Sequence, residues 1–156
     1  MNKKGFTLFE LLIVIGIIGI LAALGAFFLG RNRETERLKS VRAEFAQDIV
    51  RARSWTKSYS YNYQIVVDTT TNKYDIKPVS TTATGLPTIS KTLLTGTKFI
   101  SIPAISIVYY APLGRVSAAD GQYKIGLTNS TATTGLRTNV DLVGVTGSVI
   151  ARGLIQ

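Results

Sequence analysis

The sequence places one carboxylate directly before its longest apolar run. Glu10 precedes the uncharged stretch 11–29, and Lys3 and Lys4 stand a few residues earlier. A carboxylate in a membrane-length segment costs on the order of 2–3 kcal/mol, so its position needs a physical reason. One reason is a helix N-terminus, where the dipole favours a negative charge. The other is an ion pair with a positive group of another chain. The residues alone leave both open.

The rest of the chain carries few groups that do covalent chemistry. It contains no Cys and no His, which excludes Cys/His zinc sites, Ser-His-Asp triads, Cys nucleophiles and disulfides. No phosphate-binding or dinucleotide-binding glycine motif occurs. After residue 58 the carboxylates are aspartates next to turns or on strands without an evident pair, namely Asp68, Asp75, Asp120 and Asp141. We therefore expect no enzyme, no metal ion and no cofactor.

The chain is strongly basic, with 18 Lys and Arg against 9 Asp and Glu. Such a balance is typical either of a solvated basic surface or of a surface that attracts nucleic acid or anionic lipid. Capture of DNA phosphates requires several cations on one face. The candidates for such contacts are Arg115, Lys124, Arg137 and Arg152.

The apolar run has the length of a membrane helix. Its nineteen residues from 11 to 29 span about 28 Å as a helix, close to the hydrocarbon thickness of a bilayer. A secretory signal peptide has a shorter run of ~7–15 residues, and Arg31 and Arg33 follow at once, as after a retained anchor. Small residues that let membrane helices approach closely occur at Gly16, Gly19, Ala22, Ala23 and Ala26.

The remaining sequence predicts an amphipathic helix followed by strands. Apolar residues recur every three or four positions, which indicates one buried helix face, at Leu38, Val41, Phe45, Ile49, Ala52 and Trp55. Beyond this helix the period becomes two. We expect strands at 61–67, 73–77, 99–102, 105–110, 121–128, 140–145 and 148–152, with loops at 79–91 and 130–138. The predicted fold is α+β: a long N-terminal helix, half transmembrane and half amphipathic, packed on a small antiparallel β-rich head.

The stretch Lys3-Lys4-Gly5-Phe6-Thr7-Leu8-Phe9-Glu10, with the apolar run behind it, resembles the N-terminal signal of type IV pilins and type II secretion pseudopilins. The resemblance implies cleavage after Gly5 by a prepilin peptidase and N-methylation of Phe6. Thr7 and Leu8 then belong to the recognised stretch. Glu10 would pair with the terminal amine of a neighbouring subunit, since an amine and a carboxylate buried together cost far less than either alone.

The resemblance also implies an organisation and a location. The segments are a leader at 1–5, a transmembrane and assembly helix at 6–30, an amphipathic helix at 31–58 and a head at 59–156. The implied partners are other pilin subunits, the peptidase, an inner-membrane assembly platform and the lipid bilayer before assembly. The chain would cross the inner membrane once with its head outside the cytoplasm, and then join a pilus or pseudopilus at the cell surface or in the periplasm. The positive-inside rule conflicts with this orientation, because more basic residues follow the run than precede it.

Ala52-Arg53-Ser54 and the stretch 111–116 are similar to the H-type pseudopilin and FimT-like minor pilin group, which implies a head of two small sheets. Phe27 stands where many major pilins have Pro, and the Cys of their C-terminal disulfide are absent. A minor pilin or pseudopilin is therefore expected. The alternatives are a pseudopilin of a type II secretion system, a DNA-binding minor pilin for natural transformation (competence), and a single-pass membrane protein that never assembles. DNA-binding members carry clustered arginines near the C-terminus, where this chain offers Arg152 alone.

Overall fold

The computed structural model describes residues 7–80, 82–103, 106–116, 121–128, 130, 134–143 and 146–155, without the side chains of 26–32. The chain divides into two compact units, Met1–Glu34 and Thr35–Gln156. In the described residues lie one helix and nine strands: α1 Leu8–Tyr59, β1 Tyr63–Asp68, β2 Lys73–Pro78, β3 Ile89–Thr92, β4 Thr97–Ser101, β5 Ile107–Tyr110, β6 Arg115–Val116, β7 Gly121–Leu127, β8 Arg137–Val143 and β9 Ser148–Ile155.

Helix α1 has sequence signals at both of its ends. Thr7 precedes its first residue, and no proline interrupts it before Tyr59. Its last turn carries Lys57, whose charge suits the negative end of the helix dipole. Ser60 then adopts a φ of 55°, a left-handed conformation that ends helices.

The strands form two antiparallel sheets, as the fold class predicts. The first sheet has the order β3-β2-β1-β5-β6, and the second has the order β4-β7-β8-β9. In the first sheet β1 is central, because it pairs with β2 on one side and with β5 on the other. In the second sheet β8 is central, because it pairs with β7 from Arg137 to Leu142 and with β9 from Arg137 to Val143.

The amphipathic part of α1 supplies the core between these sheets. The predicted apolar stripe is confirmed, with exposures of 5% or less at Leu38, Val41, Phe45, Ile49 and Ala52. The ring of Phe45 lies edge-on to Tyr74 of β2 at 4.9 Å, to Phe99 of β4 at 5.4 Å and to Tyr123 of β7 at 5.1 Å. Phe45 thus contacts both sheets at once. Trp55 is half-buried against this core, where its ring lies 5.7 Å from that of Tyr63.

Two predicted loops were wrong in part. The stretch 79–91 contains the start of β3, which pairs with β2 and is held by ion pairs of Lys91 to α1. The predicted loop at 130–138 and the predicted strand at 140–145 both differ from the observed strand β8, which begins at Arg137 and ends at Val143. Strand β9 runs to Ile155, three residues beyond its predicted end. In each case pairing with a distant strand or helix decides the conformation, and local composition does not record it.

Candidate assembly site

Thr7 and Glu10 form a hydrogen-bonded cap at the start of α1. The Thr7 backbone N–H donates to Glu10 Oε2 at 2.9 Å, and the Thr7 hydroxyl donates to the same oxygen at 2.9 Å. The Glu10 backbone N–H lies 3.3 Å from Thr7 Oγ1, which accepts its hydrogen bond. This is a capping box, in which a Ser or Thr and a Glu three residues later satisfy free N–H groups of the first helical turn.

The cap shows why a carboxylate is tolerated at this position in a single chain. Glu10 lies in the first turn, where the helix dipole favours a negative charge. Its side chain is exposed, and the described contacts use only Oε2. An ionised carboxylate has further acceptor sites, so Glu10 can accept a cation without first leaving the helix terminus. The Thr-x-x-Glu spacing was the sequence signal for this cap, although the sequence argument used Thr7 only as part of the recognised stretch.

The segment behind this cap exposes its apolar side chains on every face. Residues Leu8–Gly25 are long and apolar enough to cross a membrane, and none of them is buried by the protein. The most exposed are Leu8 at 81% and Phe9 at 71%. An apolar surface of this size is stable only against lipid or against other apolar chains. The segment therefore carries a surface suited to contact with lipid or with other apolar chains.

The small residues of this segment are not packed against other described residues. A Cβ built on Gly16, Gly19 or Gly25 would meet no atom within 4 Å. Ala22 and Ala23 are exposed as well. The side chain of Ala26 lies outside the described residues, as do Gly5 and Phe6.

Asp68 and Asp141, two described carboxylates of the head, lie in different sheets. Asp68 accepts hydrogen bonds from Thr70 and Thr71 in a turn, and these bonds lower the pKa of Asp68 below its usual range. Asp141 lies in β8, where it accepts from Gln122 at 2.8 Å, whereas Asp120 lies outside the described residues. No three His, Cys, Asp or Glu side chains of the described segments lie close enough together to hold a metal ion.

Three of the four basic candidates share one face of the second sheet. Thr138, Val140 and Leu142 of β8 point into the core, so Arg137 and Asn139 point away from α1, because side chains alternate along a strand. The register places Lys124 of β7 and Arg152 of β9 on either side of Asn139, and it places Lys98 and Arg137 on either side of Gly126. Arg152, one of the candidate DNA contacts, also forms an ion pair with the buried Asp141, which the sequence did not indicate. Arg115 belongs to the first sheet.

An ionic cluster around the buried Asp48, missed from the sequence, holds β3 against α1. Asp48 is 1% exposed, although it lies outside the apolar stripe predicted for α1. It accepts hydrogen bonds from Tyr74 Oη at 2.8 Å, from Lys91 Nζ at 2.7 Å and from Arg51 at 3.2 Å. Lys91 Nζ also contacts Glu44 at 2.7 Å. The bonds to Asp48 and Glu44 raise the pKa of Lys91, while burial and then the Asp48 carboxylate raise that of Tyr74.

Comparison with known proteins gives one sequence motif and one fold. Residues 1–26 match the family model of the prokaryotic N-terminal methylation motif. Two solved structures of the minor pseudopilin EpsH from the type 2 secretion system of Vibrio cholerae are similar, with TM-scores of 0.58 and 0.60 at 13% and 10% identity. They cover 75% and 78% of this chain and 97% of each EpsH chain. No curated protein matches the sequence. At this identity the similarity is one of fold.

Proposed function

We propose that this protein of the type IV pilin and pseudopilin family is a minor subunit of a pilus or pseudopilus filament. The methylation motif and the fold make it a structural subunit of pilin or pseudopilin type. One observation carries the proposal furthest. The capped carboxylate of Glu10 lies in the first turn of an apolar 18-residue segment of α1, and no residue of this segment is buried by the protein itself. Such a surface fits a molecule that exchanges lipid contacts for contacts with other subunits.

Processing would create the positive partner that Glu10 requires. We propose that prepilin peptidase cuts after Gly5, so that Phe6 becomes an N-methylated terminal amine. The amine of one subunit would then pair with Glu10 of its neighbour. In the apolar interior of a filament an unpaired carboxylate is costly, and a pair with an amine removes most of that cost. Leu8 would serve the peptidase as part of its recognised stretch, whereas Thr7 would also hold Glu10 in place before assembly.

The bare helix would have two successive environments. We propose that it first spans the inner membrane once, with the head outside the cytoplasm, and contacts an assembly platform there. It would then pack against the helices of other subunits in a filament at the cell surface or in the periplasm. Gly16, Gly19, Ala22, Ala23 and Ala26 would allow these helices to approach closely. Gly16 and Gly19 fit this role, because a Cβ built on either of them meets no described atom within 4 Å.

The test of this proposal replaces Glu10 with glutamine in the native host. Breaking a buried ion pair by removing one partner costs about 3–5 kcal/mol, so the fraction of E10Q in sheared filaments should fall at least about tenfold. Its amount in the membrane should stay as in the wild type. The matched control is E34Q, an exposed carboxylate further along α1, which should assemble normally. Normal incorporation of E10Q would contradict the proposal.

A second candidate function, DNA capture by a minor pilin, is favoured by the shared face of Lys98, Lys124, Arg137 and Arg152. The shared face meets the requirement that several cations act together. Full-length protein in detergent should bind DNA with an affinity that falls with salt. The triple variant K98A/K124A/R137A should lower the slope of log K against log salt by about 2–3. The control K73A/K77A, on the other sheet, should change it less. Absence of binding at low salt would end this alternative.

A further inference from the structure

Five large apolar side chains are exposed where α1 ends and the first sheet begins. Their exposures lie between 42% and 56% at Tyr59, Tyr61, Val79, Tyr110 and Leu113. Isolated apolar side chains are common on protein surfaces, but a contiguous group marks an interaction site. We call these five residues the helix-end patch.

Hydrogen bonds bring the three segments of the helix-end patch together. The backbone oxygen of Asn62 accepts from the Val79 N–H at 2.9 Å, and its side-chain Oδ1 accepts from the Ala111 N–H at 2.8 Å. The Gly114 N–H donates to the Tyr110 oxygen at 2.8 Å. These bonds fix Tyr61, Val79 and the 110–114 turn around Asn62. The patch is therefore formed before any partner arrives.

Gly114 joins this turn to the last turns of α1. It has a φ of 62° and is buried, and a Cβ at this position would lie 3.0 Å from Arg53 Cγ and 3.2 Å from Lys57 Cε. The turn that carries Leu113 thus sits directly on α1, beside two cations. Arg53 Nε is buried and has no hydrogen-bond partner among the described residues.

The segments that form the helix-end patch carry charges of one sign. The segments 53–62, 77–79 and 110–115 contain Arg53, Lys57, Lys77 and Arg115 and no acidic residue. Asp48 and Glu44, on earlier turns of α1, are engaged by Lys91. An apolar centre with a cationic rim fits a surface that has an apolar centre and an acidic rim, because like charges across an interface disfavour association.

We propose that the helix-end patch docks against the acidic, partly apolar head surface of a different subunit of the same filament. The inference rests on the proposed function. A second copy of this chain fits poorly, because the unit Thr35–Gln156 carries 14 basic against 7 acidic residues. Single-stranded nucleic acid also takes basic residues and aromatic rings. Leu113, the most exposed member, and Val79 are aliphatic, however, and offer apolar packing without a stacking plane.

The absence of cysteine makes cross-linking from one position unambiguous. The full-length variant L113C, labelled with a thiol-reactive photo-cross-linker in native filaments, should capture a different filament subunit with an acidic head, identified by mass spectrometry. The matched control is T70C, an exposed position in the turn at the opposite end of β1 and β2, which should capture that subunit at least about tenfold less. Capture of a second copy of this chain, capture of nucleic acid, or equal capture from both positions would overturn the proposal.

Charge reversal separates this proposal from the proposed function. In the double variant L113C/K57E, capture of the acidic subunit should fall several-fold. The matched control is L113C/K73E, because Lys73 lies at the end of β2 far from the patch, and it should capture the subunit as well as L113C does. Incorporation into filaments should continue in both, since it depends on Glu10. If neither the wild type nor any variant is found in filaments, the proposed function itself fails. If all enter and K57E leaves capture unchanged, only the docking surface is wrong.

Discussion

Two stretches of helix α1 differ in the burial of their apolar residues. Between Leu8 and Gly25 no residue is buried, although nearly all are apolar. Between Leu38 and Ala52 the apolar residues are fewer, and those of the stripe are 5% exposed or less. In the second stretch charged residues alternate with the stripe and fix which face meets the sheets. The first stretch has no such polar face, so its partner must be lipid or another chain.

The strongest test of this difference replaces one leucine with alanine in each stretch. Leu38 is 0% exposed and Leu12 is 62% exposed. In full-length protein in detergent, L38A should lower the unfolding free energy of the head by about 2–5 kcal/mol, because it leaves a cavity in the core. L12A should leave it within about 0.5 kcal/mol. Denaturant unfolding followed by Trp55 fluorescence measures both.

Equal destabilisation by L38A and L12A would show that the apolar N-terminal stretch is part of the folding core. An unchanged unfolding free energy in both variants would show that the apolar stripe is not part of the folding core. Either result would remove the difference on which the assignment of a bare assembly helix depends.

A smaller effect is expected from the ion pairs that fasten β3 to α1. Lys91 bonds the buried Asp48 and the exposed Glu44, and Tyr74 and Arg51 still contact Asp48 when Lys91 is replaced. K91M should therefore cost about 1–2 kcal/mol of unfolding free energy. The control K98M removes a lysine for which no ion pair is found in the described residues, and should cost less.

The pH dependence of this effect has a definite sign. The pKa of Lys91 is raised in the folded protein by its bonds to Asp48 and Glu44. A raised pKa contributes stability that is fully present below the unfolded value of about 10.4 and is lost as the pH rises through the folded value. The difference between wild type and K91M should thus stay constant from neutral pH to about 10 and shrink above it. A difference that grows with alkaline pH would contradict the assigned pairs.

The smallest effect is expected at the start of the bare stretch. T7A removes the hydroxyl that bonds Glu10, and loss of an N-cap side chain costs about 1 kcal/mol. Amide exchange in the first turn of α1 should become about fivefold faster, while head stability stays unchanged. T7S keeps the hydroxyl and should exchange as the wild type does. Equal exchange in T7A and T7S would show that the cap is not formed in solution.

The sequence predicted those features that repeat locally. The stripe from Leu38 to Ala52 follows a helical period, and both Glu10 and the apolar run stand out by charge alone. Two antiparallel sheets and several strand positions also followed, partly from alternation and partly from the family resemblance. The stripe, Glu10 and the apolar run depend on residues close together in the chain, which is why composition and spacing were sufficient to find them.

The remaining features depend on contacts between distant residues. Strand β3 lies in a stretch rich in Thr and Ser, and it is held by β2 and by the reach of Lys91 to Asp48. Asp48 lies outside the apolar stripe, and no local pattern in the sequence indicates Tyr74 or Lys91 as its partners. The ion pair of Arg152 with Asp141 similarly arises only when β8 and β9 pair.

The central claim is that cleavage after Gly5 gives Phe6 a free terminal amine, which then pairs with Glu10 of a neighbouring subunit. Mass spectrometry of the protein recovered from filaments of its native host tests it most directly. The account predicts a chain that begins at Phe6 and carries one added methyl group on its terminal amine. A chain in filaments that still begins at Met1 would contradict it.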